Sequence, residues 1–340
     1  MIEEPTCLIL GAGASAPYGL PTTRELRDLI LPLISEAGAA TTARFPLMTT
    51  REAWVNYRNT DVEWASYLKK ASEKAGLLHL LQDFILKFSG TDRNIDWFLR
   101  RNESKYGEIA RLQVAASLLA CERTDKLFDD WYQLLSEEII PRSLDGFEEG
   151  KLSVISFNYD RSFERYFLNQ FENLCDLPSG EARAALSRIR FEHVYGQLGT
   201  LDEVPYGDYN NAVTAAKGIN TIRLAPDMEI QAQVGKVIRE CTYINFIGFG
   251  FDDDNIDLLG PENFKGKRVY STTYGLSART VAKAQRKLGV QIRSNEPPAL
   301  TAARLLNEKD LFGPKRKPPS TGNRPRITRR PTPFGQGWNL

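Results

Sequence analysis

The segment Cys7-Leu8-Ile9-Leu10-Gly11-Ala12-Gly13-Ala14-Ser15-Ala16 constrains this chain more than any other. An apolar run halts at two glycines, and small residues lead on to Leu20-Pro21-Thr22-Thr23-Arg24-Glu25-Leu26. The pattern predicts a buried parallel strand, a tight turn and the start of a helix. Glycine lets the backbone approach a phosphate closely, and free N–H groups at a helix N-terminus attract the anion. Read as G-x-G-x-x-[G/A], with Ala16 in the third place, the turn is a nucleotide-binding fingerprint. The same glycines suit an ordinary tight strand-to-helix connection, so their weight depends on how the later strands end.

Beyond the turn, residues 22–37 predict a helix with Leu26, Leu29, Ile30 and Leu33 on one side. A Thr-rich link over 38–50 follows, and from 51 to 141 apolar residues recur almost wholly at helix spacing. No second strand stands where a dehydrogenase fold needs one. The ribose-binding acid expected about 20 residues after the glycines therefore has no setting, which counts against hydride transfer. His79 lies within a leucine run and reads as a packed helix residue, as do Trp54, Trp64, Trp97 and Trp131.

Strands resume at 151–157, ending in Asn158-Tyr159-Asp160, and a helix is expected over 161–173. Residues 192–199 predict a short strand halted by glycine, and 201–220 a surface loop able to cover a cleft. A helix over 227–240 leads into the most apolar strand, 243–247, then Gly248-Phe249-Gly250 and Asp252-Asp253-Asp254. A strand over 268–271, a helix over 277–288 and a last strand over 290–292 complete the pattern. The expected fold is α/β: a Rossmann-like parallel sheet with helices on both faces and a large helical insertion. Residues 1–37 and 142–312 form its core, and 38–141 the insertion. Residues 313–340, with six prolines and little apolar content, are expected to be a disordered tail.

The 340 residues are 42% hydrophobic, with no apolar run long enough to cross a bilayer and an acidic start that is not a signal peptide. The cytoplasm is the expected compartment. Cys7, Cys121, Cys175 and Cys241 form no C-x-x-C pair, which argues for buried free thiols over a zinc site or a disulfide framework. The net charge of +1 hides an asymmetry, since the tail holds seven basic residues and no acid. An acidic body with a basic tail is not a groove built for nucleic acid, whose only foothold would be the tail.

In an open parallel sheet, ligands bind at the carboxyl ends of the strands. Here those ends present Gly11, Gly13 and Ser15; Asn158 and Asp160; His193, Tyr195 and Gly196; Gly248 and Gly250; and Ser271 and Thr272. In one sheet, these groups converge on one crevice. Each member has an ordinary alternative: Asn158 as a turn residue, Asp160 as a helix cap, and Asp252 to Asp254 as a solvated cap in preference to a metal site.

Taken in order, Gly-Ala-Gly-Ala-Ser at 11–15, Asn94-Ile95-Asp96-Trp97-Phe98-Leu99, Ser-Phe-Asn-Tyr-Asp at 156–160, the 193–196 segment, Gly-Phe-Gly at 248–250 and Tyr-Gly-Leu-Ser at 274–277 resemble the sirtuin superfamily. The likeness, covering roughly residues 5–295, is to its bacterial antiphage-defence branch of NAD-degrading domains. It implies that Gly11, Ala12, Gly13, Ser15 and Pro21 hold NAD, with Gly248, Gly250 and Ser271 lining the same nucleotide. It places Asn158 beside the nicotinamide ribose, helped by Asp160, and a histidine on a ribose hydroxyl or the attacking water. The family's histidine directly precedes the glycine, a place taken here by Tyr195. His193 lies two residues earlier, on the same face if the segment is extended, so either residue is a candidate for the role.

The missing zinc-binding cysteine pairs, and Thr22-Thr23 in place of Asp-Phe-Arg after the first-loop proline, favour NAD cleavage over protein deacylation, which ranks third. The leading expectation is a metal-independent NAD glycohydrolase releasing nicotinamide and ADP-ribose, the toxic effector of an abortive-infection system. Uncontrolled NAD loss is lethal, so restraint is expected from a homo-oligomer or from a partner such as a sensor, an ATPase or a nucleotide-processing protein. The rival is a non-catalytic module that binds NAD or ADP-ribose and signals to a partner.

Overall fold

In the computed structural model, the residues described are 2, 4–31, 61–127, 130–140, 151–220, 228–293 and 302–307. The Thr-rich link, the basic tail, the ends of the first helix at 32–37 and the start of the helical region at 51–60 lie outside them. The first strand, β1 (Thr6–Leu10), leads through the glycine turn into α1 (Ala12–Ser15) and α2 (Thr23–Ile30). A capping box starts α2, with the Thr22 N–H donating to Glu25 Oε2 at 2.8 Å.

Among the described residues, four helices then intervene before the next strand: α3 (Asp61–Lys74), α4 (Leu78–Ser89), α5 (Ile95–Cys121) and α6 (Asp130–Ile139). The order continues β2 (Leu152–Ser156), α7 (Ser162–Leu174), α8 (Ser179–Leu186), β3 (Arg190–His193), α9 (Ala212–Lys217), α10 (Met228–Glu240) and β4 (Tyr243–Ile247). It ends with α11 (Asp253–Leu259), β5 (Arg268–Ser271), α12 (Ala278–Leu288), β6 (Ile292–Arg293) and α13 (Ala302–Asn307).

The six strands form one parallel sheet in the order β3-β2-β1-β4-β5-β6. This is the expected Rossmann-like architecture. β1, β2 and β4 are buried at every position, because helices cover both faces of the sheet. Leu8, Leu10, Leu152 and Val154 pack into one apolar cluster with α5, α6 and α7. Cys7, Ile9, Ile155, Ile244 and Phe246 pack into the other, with α10, α11 and α12. The chain runs from β1 outward to β3 and returns to the opposite side at β4, so the topological switch lies between β1 and β4.

The intervening helices share the first cluster and reach the glycine turn itself. Trp131 on α6 is fully buried and donates through Nε1 to the Ala14 carbonyl at 2.9 Å. Next to it, Tyr132 stacks on Tyr18 with ring centroids 3.9 Å apart.

Two sequence expectations are corrected here. The strand expected over 192–199 is β3, ending at His193, and Val194 and Tyr195 form a turn. The expected surface loop over 201–220 contains a 3₁₀ turn (Tyr209–Asn211) and α9, which packs on α5. It is held by the buried ion pair of Arg161 with Glu122: Nε to Oε1 at 3.1 Å and Nη2 to Oε2 at 2.5 Å. Arg161 also donates to the carbonyls of Thr200 and Val204, and Glu122 Oε2 accepts the Gly207 N–H at 3.1 Å. One buried charge pair thus anchors the first part of the segment, from Thr200 to Gly207. Of the cysteines, Cys7 and Cys241 are buried free thiols as expected, whereas Cys121 and Cys175 are only half-buried.

Candidate active site

Backbone contact between the turns after β1 and β4 builds the floor of the switch point. The Gly11 N–H donates to Ile247 O and the Gly13 N–H to Gly248 O, each at 3.0 Å. A Cβ on Gly11 would sit 2.5 Å from Gly248 O, and one on Gly13 2.9 Å from Gly248 Cα. Gly248 has a φ of +61°, and its Cβ would fall 2.0 Å from Ala14 N. Close approach of the two turns is therefore enough to require these three glycines. Gly250 differs: it is exposed, with nothing within 4 Å of its would-be Cβ.

The other residues expected to hold nucleotide divide by exposure. Ala12 is half-buried and Gly13 exposed, whereas Gly11, Ser15 and Pro21 are buried. Ser271 is fully enclosed and donates to the Thr272 carbonyl at 2.7 Å, while Thr272 Oγ1 accepts the Gly248 N–H at 2.8 Å. Ser271 and Thr272 brace the turn from behind.

Asn158, just beyond β2, joins this floor. Its Nδ2 donates to Gly11 O at 2.9 Å and to Ser15 Oγ at 3.1 Å, which uses both amide hydrogens and leaves Oδ1 as its remaining group. The Asn158 N–H donates to Ser156 Oγ at 3.1 Å. Asp160 is enclosed, and its Oδ1 accepts the Ser162 N–H at 3.0 Å and the Ser162 hydroxyl at the start of α7. Burial raises the Asp160 carboxyl above its ordinary range, against the hydrogen bonds from Ser162 and Ser15.

His193 ends β3 opposite Ser156. Its Nδ1 donates to the Asn158 carbonyl at 3.3 Å and its Nε2 to Glu164 Oε1 at 2.7 Å. Both partners are acceptors, so only the doubly protonated imidazolium satisfies them together. Burial opposes that charge, but the Glu164 carboxylate and the two hydrogen bonds prevail, and the pKa lies above 6.5. His193 stacks on Phe191, whereas Tyr195, past the turn, packs edge-on against Phe157 and donates to Asn255 Oδ1 at 2.5 Å. The turn at Val194 thus removes the shared face that strand alternation predicts for His193 and Tyr195.

A second group of side chains gathers around Asp96, which was assigned no chemistry from sequence, and includes Tyr195, a candidate for the histidine's role. Asp96, in the first turn of α5, receives the Tyr159 hydroxyl, lies near Asp252 and Tyr195, and has Arg100 one turn away on its own helix. Burial pushes its carboxyl up to about 6. Burial likewise raises the Tyr195 phenol, with the Asp96 charge next in effect. Arg100 pairs with Asp254 at 2.5 Å. Asp252 caps α11 by accepting the Asp254 N–H at 3.1 Å, so its cap reading holds. The sequence signals for this group are the 94–99 motif that contains Asp96 and the i,i+4 spacing of Asp96 and Arg100; its other members come from strand ends distant in the chain.

A cavity of about 670 Å³ lies elsewhere, between α3, α5 and α9, with Leu77, Arg111, Leu112, Lys217 and Asn220 among its lining. No residue of the glycine turn contributes to it. Among the described residues, no helix is long and apolar enough to cross a membrane. In comparisons with known proteins, no family model and no curated protein matches the chain.

Proposed function

We propose that this protein binds NAD across the carboxyl edge of β1 and β4 and hydrolyses its nicotinamide–ribose bond, as a cytoplasmic sirtuin-like effector of antiphage defence. The observation that carries this reading is the single hydrogen-bonded network on the β2 side of the switch point. It joins Gly11 and Ser15 after β1, Asn158 after β2 and His193 at the end of β3. Polar groups from three neighbouring strands meet where a parallel sheet of this order receives ligands.

The chemistry asks little of covalent catalysis. Nicotinamide leaves as a neutral ring from a cationic one, so the barrier falls chiefly through positioning and stabilisation of an oxocarbenium-like ribose. In this reading Asn158 Oδ1 accepts from a ribose hydroxyl, because its amide hydrogens are spent on the turn. His193 is a positioning residue, since both of its ring nitrogens are already engaged and neither is left for water. It holds the Asn158 carbonyl, and Glu164 holds it. The exposed backbone at Gly13 and Gly250 is assigned to the phosphates. Such an activity needs restraint, which we assign to a homo-oligomer or to a sensor, ATPase or nucleotide-processing partner.

The enclosed His193, with Tyr195 before the glycine, favours one alternative, a module that binds NAD or ADP-ribose without cleaving it. Incubating the full chain, alone and in the complex isolated from its native cells, with NAD separates the two readings. Release of nicotinamide, cut about 10²–10³-fold by Asn158→Ala, is the expected result. Binding without release selects the module, and unchanged turnover by a folded Asn158→Ala variant removes Asn158 from the chemistry.

A further inference from the structure

With both ring nitrogens of His193 engaged by the Asn158 carbonyl and Glu164, the hydrolysis proposed above lacks a group to take the proton of the attacking water. The acids nearby are already committed: Asp160 accepts two donors from Ser162, Glu164 holds His193, and Glu122 pairs with Arg161. We propose that Asp96, carried to the rim by the first turn of α5, is the general base that deprotonates this water. The inference rests on the glycohydrolase reading and deepens it.

Placement is the first argument. Asn94 caps α5 by accepting the Trp97 N–H at 2.8 Å, which fixes the helix start and with it Asp96. Around its carboxyl stand Tyr159 from the loop after β2, Tyr195 from the turn after β3, and Asp252 from the loop after β4, with Arg100 on its own helix. Asp254 and Asn255 close the ring through Arg100 and Tyr195. Asp96 is half-buried, which leaves it a path to water that Asp160 lacks.

The balance of fields is the second argument. An acid in the first turn of a helix is normally favoured as the carboxylate by the exposed N–H groups. Here burial and the Asp252 charge outweigh Arg100 and the Tyr159 hydroxyl, leaving Asp96 poised near neutrality, where a proton acceptor works best. The third argument is a vacant donor: among the described residues, the buried Nε of Arg100 has no hydrogen-bond partner. This unpaired donor lies one helical turn from the base.

The step balances without a redox partner. The water oxygen bonds to the ribose C1′ as the C1′–nitrogen bond breaks. That bond's electron pair returns to the pyridinium ring to give neutral nicotinamide. One water proton passes to Asp96 and then to solvent.

The test uses the full chain in whichever form releases nicotinamide, with turnover and NAD affinity followed together from about pH 5 to 8. Wild-type kcat is expected to rise through an inflection near 6 and level off. Asp96→Asn is expected to lose the inflection and about 10²–10⁴-fold of kcat while binding NAD as wild type does. Asp96→Glu, which keeps a carboxylate, should retain turnover with a moved inflection, and it decides the matter if Asp96→Asn fails to fold. Wild-type kcat and inflection in a folded Asp96→Asn variant would overturn the role of Asp96 and leave the glycohydrolase standing. A wild-type chain that binds NAD and releases no nicotinamide in any form would overturn both.

Discussion

Glu164 and the Asn158 carbonyl both demand a proton from the His193 ring, so this residue titrates with the folded state. Its pKa is raised on folding above 6.5. The stabilisation is therefore fully present below pH 6.5 and is lost as pH rises through the folded value. The stability difference between wild type and His193→Gln, from urea unfolding, should accordingly be larger near pH 6 than near pH 9. An equal difference at the two pH values would mean that the ring is neutral in the folded protein, which would restore it as a candidate base. The pairing with Glu164 was not legible from the chain. Strand alternation places His193 and Tyr195 on one face, and only the turn at Val194 separates them.

At the scale of elements, the two glycine turns test what the glycines are for. Gly248→Ala forces a φ of +61° on a side-chain-bearing residue and drives a methyl into Ala14 N. A loss of about 1–3 kcal/mol from the backbone, and a similar amount from overpacking, is expected in thermal or urea unfolding. Gly250→Ala meets nothing and should stay within about 0.5 kcal/mol of wild type. If Gly250 approaches the phosphates, that stable variant should nevertheless bind NAD more weakly; unchanged affinity would take Gly250 out of the site. These turns explain why the strands were readable. Runs such as Cys7-Leu8-Ile9-Leu10 and Tyr243-Ile244-Asn245-Phe246-Ile247 are buried on both faces, so they read as apolar stretches ending at glycine, with Asn245 the single polar residue in the second. The 201–220 segment was not readable. Its order comes from Arg161 and Glu122, which lie 39 residues apart in the chain and whose pairing no local pattern announces. Asp96 escaped for the same reason, since Tyr159, Tyr195 and Asp252 reach it only through the topology of the sheet.

Across the whole molecule, the account joins two parts of the chain at one edge. The parallel sheet supplies the crevice between β1 and β4, and the intervening helices supply Trp131 beneath the turn and Asp96 at its rim. The cavity between α3, α5 and α9 offers a competing location, with Arg111 and Lys217 as cations for an anionic ligand. Its wall meets the site where the Asn220 N–H donates to Tyr195 O at 2.7 Å and Ile219 bridges to Gly196. The most direct test of where the nucleotide sits is amide hydrogen exchange of the full chain with and without saturating ADP-ribose, the product of the proposed reaction. The account predicts protection over 11–16, 156–160 and 248–255, with the helices around the cavity unchanged. Protection confined to 103–112 and 213–220, or none at the glycine turns, would contradict it.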